Sequence, residues 1–311
     1  MPKPYPLSAE MTAFVAKTLS FSSPSDDIAE QRRAYARMCE AFTPARAPDL
    51  DVKDFTLGGV PVRSYRPQRL SLEHPAPCVM YVHGGGWVVG DLDSHDFLTA
   101  GLAADLNAVV IAVDYRLAPE HPFPAAFGDC LSVWHALQVS ALRLDIDPRR
   151  IAIAGDSAGA SLAAAVCLAL RDGGERQPVG QALIYPELGG SHDLPSRREY
   201  TDAPLLSADE LAFYHRLYMT DDEESAYARP LNAADFHDLP PAFIAVAQFD
   251  PLRDDGICYE RALREAGVRT EFNLGLGLVH GSLRAIGQAP EADALYHRLT
   301  SALLGFIRKP L

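Results

Sequence analysis

From about residue 76 the chain alternates short, nearly continuous apolar runs with longer stretches of helix formers. The apolar runs fall at 78–82, 108–113, 150–154, 181–185, 242–247 and 270–274, and each reads as a buried strand. The stretches at 97–105, 125–142, 157–171 and 256–266 read as helices between most of them. Strands that alternate with helices and carry few polar residues predict a mostly parallel sheet covered on both faces. Upstream, 51–57 and 60–66 alternate apolar and polar residues around Gly58-Gly59, the signature of a hairpin.

Two segments break the rhythm. Residues 1–50 read as polar helix with proline breaks, as over 26–38, and lie ahead of the sheet. Residues 187 to about 240 interrupt it and contain Ser207-Ala208-Asp209-Glu210, a capping-box helix start. Both are expected to fold together as a lid over the strand ends, around a catalytic domain spanning 51–311; covering an edge of the core is the plainer alternative.

Composition narrows the class. The chain has 311 residues, 48% of them hydrophobic, enough for a large core. Its net charge of −13 argues against nucleic acid and anionic membranes as partners. No apolar run approaches the roughly 20 residues of a membrane span, and the N-terminus lacks a signal-peptide layout. Cys39, Cys78, Cys130, Cys167 and Cys258 are odd in number and lack metal-ligand spacing, which suits a reducing cytoplasm. An exposed sheet edge would allow a homodimer.

The chemistry concentrates at Gly155-Asp156-Ser157-Ala158-Gly159, between the strand at 150–154 and the helix at 157–171. A strand that feeds directly into a helix makes a sharp turn and exposes the serine hydroxyl at its apex. Such a hydroxyl needs a base, a group to orient that base, and donors for the developing oxyanion. His280 follows the last strand candidate and is the base by position. Asp250, at the end of the strand at 242–247, is the orienting acid; Asp254 and Asp255 read instead as the acidic start of the next helix. Three glycines after His83, namely Gly84, Gly85 and Gly86, let backbone amides converge on a small anion, with the Ala158 amide as a further donor. Asp156 is expected to point away from Ser157 and support the turn, with Glu187 in a supporting position nearby. His95, among aspartates on a polar loop, reads as helix capping rather than a metal site, and the mechanism needs no metal or cofactor.

Together, His83-Gly84-Gly85-Gly86-Trp87, the segment at 114–125, Gly155-Asp156-Ser157-Ala158-Gly159, Asp250-Pro251-Leu252-Arg253-Asp254 and His280-Gly281 resemble the hormone-sensitive-lipase-like branch of the α/β-hydrolase family, the bacterial family IV esterases. The resemblance covers about residues 50–310. It implies an eight-stranded, mostly parallel sheet flanked by helices, with a helical cap. It further implies a Ser157–His280–Asp250 triad and amide donors at Gly85, Gly86 and Ala158, with His83 and the 114–125 segment bracing the site. The implied partner is a small-molecule ester, soluble and of short to medium acyl chain. Cleavage of amides, carbamates or lactones, or acyl transfer, would use the same residues; a non-catalytic receptor of this fold would lack the histidine. Trp87 and Val88 read equally as acyl-pocket lining or core, and Phe213 and Tyr214 as substrate-facing or lid packing. The chain departs from the family at Ser282, where an aromatic residue is usual, which leaves the wall beside His280 in doubt.

Overall fold

The computed structural model describes residues 5–23, 25, 27–70, 74–219 and 225–308. Parts of the expected N-terminal helix start and of the inserted segment, at 26 and 220–224, lie outside the described residues. The strands are β1 (Leu50–Leu57), β2 (Val60–Pro67), β3 (Ala76–Val82), β4 (Val109–Val113), β5 (Ile146–Asp156), β6 (Gln181–Ile184), β7 (Ala242–Phe249) and β8 (Thr270–Val279). The helices are α1 (Ala9–Leu19), α2 (Ile28–Phe42), α3 (Asp96–Leu106), α4 (Ala125–Ser140), α5 (Ala158–Asp172), α6 (Pro195–Glu199), α7 (Ala208–Tyr218), α8 (Arg253–Glu265) and α9 (Pro290–Ile307).

One eight-stranded sheet runs β1-β2-β4-β3-β5-β6-β7-β8. Only β2 opposes its neighbours, pairing antiparallel with β1 and β4, so the sheet is mixed but mostly parallel, the α/β-hydrolase architecture. The hairpin forms as the alternation predicts, with Leu57 opposite Val60. Side chains alternate across the central strands, so each strand feeds two cores. Cys78, Met80 and Val82 of β3 pack on one face, while Val79 and Tyr81 pack on the other.

Strands β3, β5, β7 and β8 are longer than their apolar runs. β8 continues past Leu274 to Val279 because Gly275 and Gly277 hide the alternation without stopping the backbone pairing. The side-chain oxygen of Gln248 accepts from Gly277 N–H at 2.7 Å where the register shifts. β8 is also an outer strand, and Phe272, Leu274 and Leu276 stay exposed along it.

Register positions the chemistry. Val82 pairs with Gly155, so the His83 loop and the Ser157 turn leave adjacent strands at one level. Phe249 pairs with Val279, so Asp250 and His280 leave the next pair of strands side by side. Four chemical groups far apart in sequence therefore meet at the carboxyl edge of one sheet.

α2 and α7 reach this edge. The Arg32 guanidinium on α2 donates to the carbonyl oxygens of Val88 and Ala118 at 2.8 and 2.9 Å and pairs with Glu120. α7 begins with the full capping box at Ser207 and Glu210. It stacks Tyr218 on Trp87 with ring centroids 4.2 Å apart. No helix among the described residues is long and apolar enough to cross a membrane.

Candidate active site

Ser157 sits at the apex between β5 and α5 with φ 53° and ψ −124°, a conformation that side chains other than glycine rarely adopt. The turn holds because α5 packs hard against the neighbouring strand. A Cβ on Gly159 would collide with the carbonyl oxygens of Val82 and His83, so only glycine allows this approach. The Ser157 N–H donates to Ile184 O at 2.9 Å, which ties the apex to β6.

The Ser157 hydroxyl lies 2.9 Å from Nε2 of His280, whose Nδ1 is 2.7 Å from Oδ2 of Asp250. The other carboxylate oxygen of Asp250 accepts from Leu252 N–H at 2.8 Å. Asp250 is fully buried and His280 nearly so. With Nδ1 donating to the carboxylate, Nε2 is free to accept the serine proton.

Gly85, Gly86 and Ala158 line the cavity in front of Ser157. Their backbone N–H groups make no hydrogen bond among the described residues, which leaves three donors unused on residues that line one small space. Gly85 has φ 122°, and a Cβ there would strike the carbonyl oxygen of Val89. Gly85→Ala should therefore tilt the loop and lower kcat about 10²–10³-fold, the usual effect of a lost oxyanion donor. Steady-state kinetics on a chromogenic ester would check this, and unchanged kcat would mean that the loop tolerates the side chain.

Buried groups brace that loop. Asp156 points away from the serine: its Oδ1 accepts from Tyr81 Oη at 2.7 Å and from Gly84 N–H at 3.0 Å. Burial alone would raise its pKa, but His95, 3.3 Å away, and Tyr81 hold it well below the usual carboxylate range. His95 thus differs from the expectation. It occupies the position before α3 yet makes no side-chain cap; its ring is buried against Asp156. The loop contributes backbone turns, and the sheet supplies the acid that the ring seeks. His83 stacks on Tyr115 at 4.3 Å, and burial, with His95 close by, lowers its pKa to about 4, so it braces the loop as a neutral ring.

Asp254 and Asp255 do more than begin α8. Asp254 accepts from Ser196 N–H, while Asp255 accepts from Leu188 and Gly190 N–H and pairs with Arg197 at 2.8 Å. They anchor the inserted segment. Glu187 lines the cavity and faces His215 at 3.2 Å. Burial opposes its ionisation, yet His215 and Arg197 keep its pKa below the ordinary value.

The pocket residues divide. Trp87 and Tyr214 line the inner cavity at Ser157, of about 90 Å³. Phe213 lines an adjoining outer cavity of about 440 Å³, between α1, α2 and α7, instead. Val88 and Ser282 are fully buried and line neither cavity. Ser282 turns inward at the start of a short helical turn, so this serine itself supplies no surface to either cavity. The inner cavity is also lined by Tyr35, Leu205, Leu206, Leu211 and Arg284, none singled out by sequence. Only a cavity could have found them, because they come from four separate segments.

Comparison with known proteins agrees with this geometry. A family pattern described as α/β hydrolase fold matches residues 79–284. Esterase LipI of Mycobacterium tuberculosis is 41% identical over 82% of this chain and 82% of its own length. Carboxylesterase NlhH of the same organism is 39% identical over 87% of this chain and 88% of its own. The crystal structure of a Pyrobaculum calidifontis esterase superposes with a TM-score of 0.87 at 34% identity, covering 96% of this chain and 99% of that one. The chain belongs to the α/β-hydrolase family, in its hormone-sensitive-lipase-like branch.

Proposed function

We propose that this chain is a carboxylesterase that works through Ser157, His280 and Asp250. The observation that carries the reading is the unbroken hydrogen-bond chain from the Ser157 hydroxyl through both His280 nitrogens to buried Asp250. His280 Nε2 takes the serine proton as Oγ attacks the ester carbonyl, and the N–H groups of Gly85, Gly86 and Ala158 receive the oxyanion. Collapse of the tetrahedral intermediate expels the alcohol, which takes its proton from His280 and leaves an acyl-Ser157 ester. Water, deprotonated by His280, then attacks that ester and releases the carboxylic acid. Asp250 holds the imidazole and stabilises its charged form throughout.

Substrate size follows from the cavities. The inner space of about 90 Å³ suits a short acyl group, and the larger outer space suits the remainder of the ester. We read α1, α2 and the 187–240 segment as a cap over the site, since Tyr35, Leu205 and Tyr214 border both cavities. The esterase relatives support the reaction class. An organophosphonate should label one serine per chain, at Ser157, with loss of activity towards short-chain nitrophenyl esters. Labelling elsewhere, or none with activity intact, would overturn the proposal.

A further inference from the structure

We propose that Arg284 is an anion anchor that makes this enzyme favour esters carrying a free carboxylate. The idea rests on the carboxylesterase reading and extends it to a substrate class. Arg284 borders both the inner cavity at Ser157 and the outer cavity, so it stands where the two join. Its Nη2 packs on Gly281, the residue after His280, which brings the guanidinium close to the reacting atoms.

The guanidinium lacks a matching partner. It forms no ion pair with any carboxylate among the described residues. Its single hydrogen bond among the described residues is a long one, from Nη1 to Tyr35 Oη at 3.5 Å, and its carbon lies 5.7 Å from that ring. Nε is buried without an acceptor. A guanidinium carries five donors and stays protonated at any physiological pH. The half-buried guanidinium has only the through-space attraction of Asp156, with no contact ion pair, to offset its lost hydration, and a planar carboxylate matches its fork.

The acidic groups nearby are otherwise engaged. Asp156 is bound by Tyr81, Gly84 and His95. Glu187 faces His215. Glu210, on the outer cavity, bonds the amide and hydroxyl of Ser207; Asp209 lies beside it at the rim and would be the main charge opposing an incoming anion. The throat therefore holds one guanidinium, Arg284, beside two carboxylates, Asp156 and Glu187, that have closer partners of their own, and the rim is acidic. An ester with a carboxylate a few bonds from the scissile carbonyl can seat that group on Arg284 while Ser157 meets the ester.

Paired substrates test this. A nitrophenyl half-ester of glutaric acid is compared with nitrophenyl pentanoate, which places the carboxylate on the acyl side. An acetyl ester of a hydroxybenzoic acid is compared with phenyl acetate, which places it on the alcohol side. In at least one pair the anionic ester should be favoured in the parent enzyme. Arg284→Met should then lower the anionic-to-neutral ratio of kcat/KM by about 10- to 100-fold. The loss should fall on the anionic ester, and Arg284→Lys should recover part of it. Free glutarate should inhibit the parent competitively and lose that effect in Arg284→Met. Preference for the neutral ester in both pairs in the parent enzyme, or an unchanged ratio in a folded Arg284→Met, overturns the anchor. If Arg284→Met fails to fold, the parent preference and Arg284→Lys decide the matter. Failure to hydrolyse any ester would instead remove the carboxylesterase reading itself.

Discussion

Ser157→Ala should lower kcat for a short-chain ester by about 10⁶-fold, the scale seen when a triad nucleophile is removed. Among the described residues the Ser157 hydroxyl has one hydrogen-bond partner, His280, and in the proposed mechanism it is the atom on which the acyl-enzyme forms. Among the other polar side chains of the inner cavity, such as Tyr35, Glu187 and Arg284, none presents a hydroxyl to a histidine–carboxylate pair as Ser157 does. The oxyanion donors remain, so the variant should retain a small rate above water alone. Backbone strain at φ 53° is unchanged by alanine, so the melting temperature should stay within a few degrees of the parent. Progress curves at high enzyme concentration, with labelling to exclude parent contamination, would measure the residue. A loss of less than about a hundredfold would mean that the reaction does not pass through Ser157.

Asp250→Asn should cost about 10⁴-fold in kcat, for a reason of tautomers rather than charge alone. Asp250 Oδ1 accepts from Leu252 N–H, and an asparagine oxygen can keep that bond. Its NH₂ group would then face His280 Nδ1, which must become an acceptor, and the imidazole proton moves to Nε2. Nε2 then points a proton at the serine oxygen and can no longer take one. The fold should survive, because the side chain is nearly isosteric. Activity within tenfold of the parent would require another group to orient His280.

Several of these parts were legible in the chain itself. The turn at 155–159 announces its serine because apolar β5 feeds straight into helix-forming α5, a local pattern. Asp250 and His280 could be located because each follows a strand, and parallel strands end on one edge. His95 was misread, and Asp255, which does begin α8, was only half read, for the opposite reason. Their local surroundings suggested helix starts, whereas their partners, Asp156 and Arg197, lie 61 and 58 residues away. Ser282 looked important because of its place beside His280, yet the short helical turn there aims it into the core.

Periodicity and motif order, both short-range properties, thus determined the strand–helix alternation, the sheet class and the three residues proposed to move the proton. Tertiary structure alone decided what surrounds them. The register of β3 against β5 and of β7 against β8 brought the four loops together. Packing of α2 and α7 shaped the two cavities and left the Arg284 guanidinium at their junction with no ion-paired carboxylate among the described residues. Such features depend on which surfaces meet across the fold, a long-range outcome that no local pattern of side chains encodes.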